Sequence, residues 1–291
     1  MTDTVLGFIG LGVMGAPMCH NLLRHSGKPV TAYDIDTAAV AEVERAGGTH
    51  ASSAAELVAA SDIVFCSLPG GDEVEAVVTD VLGHCREGQT VVDLSTSPVR
   101  LVQRLAEVLA GRGVAFADAP VARTRHAAVE GTLAITVGAD AEVFARVEPL
   151  LRCFATDVTH CGPVGAGALV KLLNNMVVFE TVVALAEAVT LARRSGLVGD
   201  EQLFDALGKG SAASFTLENH GKKALLPDLH PESAFPARYM RKDVGYALDL
   251  AADVGVRAPA GELAHQLLDE LCEQGHADAY HTAVVRLIDA E

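Results

Sequence analysis

Apolar positions change rhythm once along this chain, near residue 162. Before that point, short apolar runs at 4–9, 29–33, 62–67, 89–94, 114–118, 132–137 and 156–160 alternate with stretches at 16–24, 37–46, 53–60, 72–81, 98–111 and 140–151, where apolar residues recur every three to four positions. The runs predict strands buried on both faces, and the 3.6-residue period between them predicts helices. Strand and helix in alternation indicate a parallel sheet covered on both sides. After residue 162 the strand signal stops. Residues 162–196 read as one helix of about 28 residues, roughly 40 Å long, and 201–207, 215–223, 238–254 and 261–273 are helical by period. The expected fold is α/β over 1–163, then an all-α domain over 164–291, joined by a long helix at about 165–194.

The long helix is apolar almost all round, from Leu169 and Leu172 through Phe179 and Val182 to Val189, so it is expected to run buried between two bodies. Lys171, Asn174 and Asn175 interrupt it near its start. Lys171 and Asn175 are four apart and share a helix face. A buried lysine without a use costs several kcal/mol, which favours a polar site there over a structural network.

The first strand runs directly into Gly10-Leu11-Gly12-Val13-Met14-Gly15, and a helix follows. In that context Gly10 permits a tight turn, Gly12 lets backbone approach a pyrophosphate, and Gly15 lets helix and strand pack closely. The helix N-terminus adds N–H groups for the phosphates. The second strand ends at Asp34, 19 residues after Gly15, and no arginine follows among Ile35, Asp36 and Thr37. A carboxylate there accepts from both ribose hydroxyls and repels a 2′-phosphate, so the cofactor expected is NAD rather than NADP. Ligands in such sheets bind at the carboxyl ends of strands, which here carry Leu68-Pro69, Asp93 to Thr96, and Asp118 to Thr124.

A formal net charge of −16 argues against nucleic-acid or anionic-membrane partners, so an anionic substrate needs a local basic pocket. Six cysteines without a CxxC pair read as core thiols of a reducing compartment, and 11 histidines without zinc-type spacing make a metal site unexpected. No signal peptide is apparent, and the one long apolar segment carries Lys, Asn and Glu, so a cytoplasmic location is expected.

Five stretches resemble the β-hydroxyacid dehydrogenase family, which includes 3-hydroxyisobutyrate dehydrogenase and tartronate semialdehyde reductase. They are GFIGLGVMGAPM at 7–18, DLSTSP at 93–98, DAPVARTRHAAVEGTL at 118–133, GAGALVKLLNN at 165–175 and the KD of MRKDVGYALDLA at 240–251. The resemblance implies an N-terminal Rossmann domain, a long interdomain helix and an all-helical domain, assembled as a homodimer or homotetramer. It implies that Lys171 is catalytic, that Asn174 and Asn175 orient substrate, and that Ser95 and Thr96 line the loop beside nicotinamide and substrate. It also implies that Lys242 closes over the site and touches both ligands. Hydride transfer to a carbonyl leaves an alkoxide, which an ammonium stabilises and protonates. In the oxidative direction that lysine starts neutral, so oxidation is expected to show an alkaline optimum. Asp243 is read as orienting Lys242 or capping a helix, or else as a substrate contact, and Arg125 and His126 as solvent-facing.

Residues 122–124 depart from the Ser-Gly-Gly of most of the family. Here they are Ala122, Arg123 and Thr124, similar to the Arg-Thr loop of the sulfolactaldehyde reductase branch. A guanidinium binds sulfonate or carboxylate as a fork. The substrate expected is a small anionic aldehyde or hydroxy acid, foremost 3-sulfolactaldehyde with 2,3-dihydroxypropanesulfonate. The alternatives are 3-hydroxyisobutyrate, 4-hydroxybutyrate with succinic semialdehyde, and tartronate semialdehyde. Of other classes, a non-catalytic dinucleotide-binding module and an imine reductase share this fold, but both replace the lysine that is present here as Lys171.

Overall fold

The computed structural model describes residues 4–232 and 234–289. The chain divides into two compact units, one ending at Lys171 and the other starting at Leu172. The division falls inside the long helix, several residues after the 163/164 boundary expected from the change of rhythm.

The first unit alternates β1 (Leu6–Ile9), α1 (Gly15–His25), β2 (Val30–Tyr33), α2 (Thr37–Arg45), β3 (Thr49–His50), α3 (Ala54–Ala60), β4 (Ile63–Cys66), α4 (Gly71–Val81), β5 (Thr90–Asp93), α5 (Val99–Ala110) and β6 (Ala115–Asp118). It continues with β7 (Val121–Ala122), α6 (Arg125–Glu130), β8 (Leu133–Gly138), α7 (Ala141–Leu151) and β9 (Ala155–Gly162). The sheet order is β3-β2-β1-β4-β5-β6-β8-β7, with β9 paired to β8. β1, β4 and β5 are buried at every position, which is why they lack an alternating pattern. One core cluster contains Phe8, Met18 and Phe65, the other Leu57, Val78 and Leu105. Side-chain caps start three of the helices: Asp36 accepts from the Ala38 N–H, Ser53 from the Glu56 N–H and Thr124 from the Ala127 N–H.

The sheet is not wholly parallel, contrary to expectation. β8 runs antiparallel to β6 and to β7. The two-residue β7 and six-residue α6 between them are too short to leave a clear periodic signal, yet they turn the chain back.

The long helix α8 spans Ala166–Ser195. It is not buried all round: only 39% of its most apolar 18-residue window is buried. Val170, Leu173, Val177 and Leu191 are 39%, 41%, 55% and 71% exposed, at helical spacing along one stripe. Among the described residues α8 is the helix long and apolar enough to cross a membrane by length and composition, but Lys171, Asn174, Asn175, Glu180 and Glu187 lie along it.

The second unit adds α9 (Asp200–Lys209), a wide-turn helix at Leu217–Leu225, α10 (Ala237–Asp253), α11 (Pro259–Leu271) and the short α12 (Val285–Ile288). The stretch expected as an ordinary helix at 215–223 is the wide-turn one. Its core gathers Phe179, Val182 and Val189 of α8 with Phe204, Leu217, Met240, Leu268 and Val284. Packed beside them are three histidines. His281 is 1% exposed and lies 5.3 Å from His220, ring centre to ring centre, and His230 bonds Thr282.

Candidate functional site

In the first unit the glycine turn is set by close approaches that a side chain would block. A Cβ on Gly10, whose φ is +93°, would lie 2.2 Å from the Ser67 carbonyl oxygen, and one on Gly15 would lie 2.0 Å from the Gly10 oxygen. At Gly12 a Cβ would meet nothing within 4 Å, so the space over that residue is open. The two tight glycines shape the turn, and the open one leaves room for a pyrophosphate against its backbone. Asp34 accepts from the Leu11 N–H at 2.5 Å and from the Asp36 N–H at 2.8 Å, which ties the end of β2 to the glycine turn. An ionised carboxylate has about four acceptor positions, so ribose hydroxyls can still be received there. The residues fit NAD. Val13 is 61% exposed on the turn and Met14 stands at the head of α1.

The neighbouring strand ends are linked. Leu68 donates its N–H to Ser95 Oγ at 2.9 Å, and Ser95 donates its own N–H to Asp93 Oδ1 at 2.9 Å. Ser97 Oγ donates to Asp93 Oδ2 at 2.8 Å. Asp93 thus shapes the 94–97 loop carrying Ser95 and Thr96. Ser95 is buried, Thr96 half-buried and Pro69 exposed.

Residues 122–124 have partners within the chain that the sequence did not show. Arg123 has a φ of +84°, the left-handed conformation that favours the glycine expected at this place. Its guanidinium does not act as an unpaired fork for an anion. It donates to the Thr132 carbonyl oxygen at 2.6 Å, to Thr156 Oγ1 at 2.9 Å and to Asp157 Oδ2 at 2.6 Å. Hydrogen bonds from Thr156 and Arg123 hold the Asp157 carboxyl below the usual carboxylate range. The arginine staples its own loop to β9 and keeps a glycine-like backbone. Thr124 is also engaged, since its hydroxyl oxygen caps α6 by accepting from the Ala127 N–H. Ala122 pairs with Ala134 in the sheet. Arg125 and His126 are exposed.

Lys171 is half-buried near the start of α8. In the second unit, Asn175 Nδ2 donates to Asp243 Oδ2 at 2.6 Å and Lys242 Nζ donates to Asp243 Oδ1 at 2.8 Å. Asn174 Nδ2 donates to Asn175 Oδ1 at 3.1 Å, and the Lys242 ammonium lies 4.9 Å from the Tyr246 ring centre. Asp243 is 1% exposed and gathers the two residues from α8 and α10. Its position beside Lys242 was visible in the sequence, but its bond to Asn175 spans 68 positions and left no local trace. Among the described residues, no cluster of three or more His, Cys, Asp or Glu could hold a metal ion.

Residues 5–162 match the family described as the NAD binding domain of 6-phosphogluconate dehydrogenase. Residues 165–288 match that described as the NAD-binding domain of NADP-dependent 3-hydroxyisobutyrate dehydrogenase. The 2-(hydroxymethyl)glutarate dehydrogenase of Eubacterium barkeri is 36% identical, covering 91% of this chain and 88% of that protein. The NAD-dependent L-serine dehydrogenase of Pseudomonas aeruginosa is 32% identical over 98% of this chain and 97% of its own. Among solved structures, the 3-hydroxyisobutyrate dehydrogenase of Mycobacterium tuberculosis with L-serine superposes with a TM-score of 0.91. It is 32% identical and covers 99% of this chain and 100% of that one.

Proposed function

Because this chain belongs to the β-hydroxyacid dehydrogenase family of NAD-dependent oxidoreductases acting on CH–OH groups, we propose that it interconverts a short 3-hydroxy acid and its semialdehyde with Lys171 as general acid and base. The observation that carries this reading is Lys171 and Asn175 on successive turns of one unbroken helix, with Asn175 held by a buried carboxylate.

Bound NAD supplies the hydride acceptor in oxidation and the donor in reduction. In reduction the Lys171 ammonium stabilises negative charge at the substrate oxygen and delivers the proton to it. In oxidation neutral Lys171 Nζ removes the hydroxyl proton, so the oxidative rate rises with pH. Asp243 receives one N–H of Asn175, which fixes which end of the amide is turned to a substrate oxygen. Lys242 supplies positive charge for the anionic group or the cofactor. Lys171→Met is expected to lower turnover by about 10²–10⁴-fold, the scale of general acid–base catalysis, with NADH affinity retained. Full turnover in that variant sinks the assignment.

For the substrate we favour 3-hydroxyisobutyrate or a serine-like hydroxy acid over the sulfonate. The sulfonate expectation depended on an Arg123 fork, and that fork is engaged by Asp157, Thr132 and Thr156. In this reading the substrate anion is instead met by the loop's backbone N–H groups. Initial rates with NAD on 3-hydroxyisobutyrate, L-serine, 4-hydroxybutyrate, glycerate and 2,3-dihydroxypropanesulfonate decide this, and a clear preference for the sulfonate overturns it.

We also propose a soluble, cytoplasmic homodimer or homotetramer in which a second copy covers the α8 stripe of Val170, Leu173, Val177 and Leu191. The stripe is about 31 Å long at 1.5 Å per residue, and its uncharged, apolar character suits an identical partner. Sedimentation of Val177→Asp should then show smaller species than the parent chain, and a monomeric parent refutes the assembly.

A further inference from the structure

The first turn of α8 is mounted on the sheet at several points. Asp118, the last residue of β6, accepts from the Gly165 N–H through Oδ1 and from the Ala168 N–H through Oδ2, both at 2.7 Å. Thr136 of β8 donates its hydroxyl to the Gly167 carbonyl oxygen at 3.0 Å. Gly167 is pressed so close that a Cβ there would lie 2.4 Å from the Thr136 backbone carbonyl oxygen and 2.8 Å from that of Asp118. Three residues after Ala168, and so nearly one turn on, comes Lys171.

Four N–H groups at a helix start lack partners within the helix, and an unheld first turn frays. A fray here reaches the turn that carries the reacting amine. Asp118 is 1% exposed, and a carboxylate buried that far needs hydrogen-bond partners, which the two amides supply.

We propose that Asp118 is a positioning residue for the reaction: by holding two backbone amides of the first turn of α8, its carboxylate sets where the Lys171 amine sits. The proposal rests on the assignment of Lys171 as general acid and base. It requires the carboxylate to be ionised, because a proton on either oxygen would confront an N–H with a hydrogen. Burial pushes the Asp118 carboxyl up to about 6 despite the amides that favour its charge. The titratable groups around it are Asp93 of β5, directly across the parallel register, and the Cys161 thiol of β9. The Asp93 charge weighs against a second negative charge at Asp118, and Asp118 in turn helps hold the Cys161 thiol protonated. In the reductive direction a falling pH can only add to the ammonium form of Lys171 that donates the proton, so a fall in rate near pH 6 reports the mount rather than the lysine.

The test is Asp118→Asn, of equal size and permanently uncharged, beside Lys171→Met and the parent enzyme. A misplacement of about 1 Å costs on the order of 100-fold, so Asp118→Asn is expected to lose about 10- to 100-fold in kcat. NADH affinity, read by nicotinamide fluorescence, should stay within about threefold, since the glycine turn is untouched. Amide hydrogen exchange over 165–171 in the cofactor-free protein should rise at least about tenfold while β1 is unchanged. The acid-side fall of the parent's reductive kcat should be absent from the variant. A variant that exchanges faster but keeps the parent's kcat and pH profile makes Asp118 a structural cap only, and overturns the proposal. If Lys171→Met is dead and Asp118→Asn is fully active, the positioning proposal fails alone. If Lys171→Met is active, the reading of the lysine fails and takes the proposal with it. Should Asp118→Asn not accumulate as folded protein, Thr136→Val decides. It removes the hydroxyl from the same turn and should lower kcat severalfold at constant NADH affinity, and parental kcat there refutes the mount.

Discussion

Asp118 in one unit and Asp243 in the other are both buried carboxylates at candidate functional positions, and they are used differently. Asp118 in the α/β unit receives two backbone N–H groups, so it holds a piece of chain. Asp243 in the helical unit receives the side chains of Asn175 and Lys242, so it holds functional groups directly. The contrast extends along each unit. The α/β unit places its chemistry with backbone, through a glycine turn, strand ends and a helix start, where close packing leaves little latitude. The helical unit builds its part from long side chains on neighbouring helices, which need a shared counter-charge to stay in place.

Buried groups of the two units answer acid in opposite senses. The Asp118 carboxyl sits higher folded than unfolded, so its contribution to stability grows as pH falls through about 6. In the helical unit burial lowers His220 to about 4, and burial with His220 and His230 nearby lowers His281 well below its ordinary value. The unfolded chain binds those protons first. Stability from these histidines is therefore whole above about pH 6.5 and is lost as pH falls towards 4.

The largest effect expected is at the backbone-built side. Gly15→Ala puts a methyl 2.0 Å from the Gly10 oxygen and should abolish measurable NADH binding and lower the melting temperature. Gly12→Ala meets nothing in the protein, so it should melt within about 2 °C of the parent while losing on the order of 100-fold in NADH affinity. Equal destabilisation by both would break the distinction between shaping glycine and cradling glycine. Next comes Asp243→Ala, which removes the acceptor for an ammonium and an amide. With charged hydrogen bonds at about 1.5–3 kcal/mol each, kcat/KM should fall on the order of 100-fold or more. Steady-state kinetics showing a loss under threefold would mean that Lys242 and Asn175 hold themselves.

A smaller effect separates the units by pH. Between pH 7.5 and 5 the helical unit should lose about 2 kcal/mol through His220 alone, at 1.36 kcal/mol per unit of pKa. Hydrogen exchange should show it opening before the sheet, and His281→Leu should shift that acid loss to lower pH. Opening of the sheet first would reverse the comparison. The smallest effect belongs to Arg123→Gly. It gives up exposed contacts but relieves the left-handed conformation, which costs an arginine about 1–2 kcal/mol. Melting temperature and kcat/KM should change little, and equally for every substrate. A large loss confined to one substrate would return the guanidinium to the anion site.

How much could be read beforehand differs by residue. Lys171 and Asn175 were legible because helical period alone puts residues four apart on one face. The glycine turn and Asp34 were legible because a dinucleotide needs small residues and a carboxylate at set intervals along one βαβ unit. The partners of Arg123 were not legible because one of them, Asp157, lies 34 positions later on β9. Asp118 looked like one more strand-end acid until β8 turned back antiparallel and brought Thr136 beside α8. The exposed stripe on α8 could not be told from a buried one, since apolar content does not say how many sides have neighbours.

By itself, then, the amino-acid order determined most of the element types, the change from α/β to all-α, the dinucleotide turn and the candidate amine, all of which rest on local period and short spacing. Only the tertiary structure decided what each charged group touches. It turned Arg123 onto β9, put Asp118 under the first turn of α8 and joined Asn175 to Lys242 through Asp243. The physical reason is that a charge is satisfied by whatever partner the fold brings within about 3 Å, and those partners lie 34 to 68 positions away along the chain.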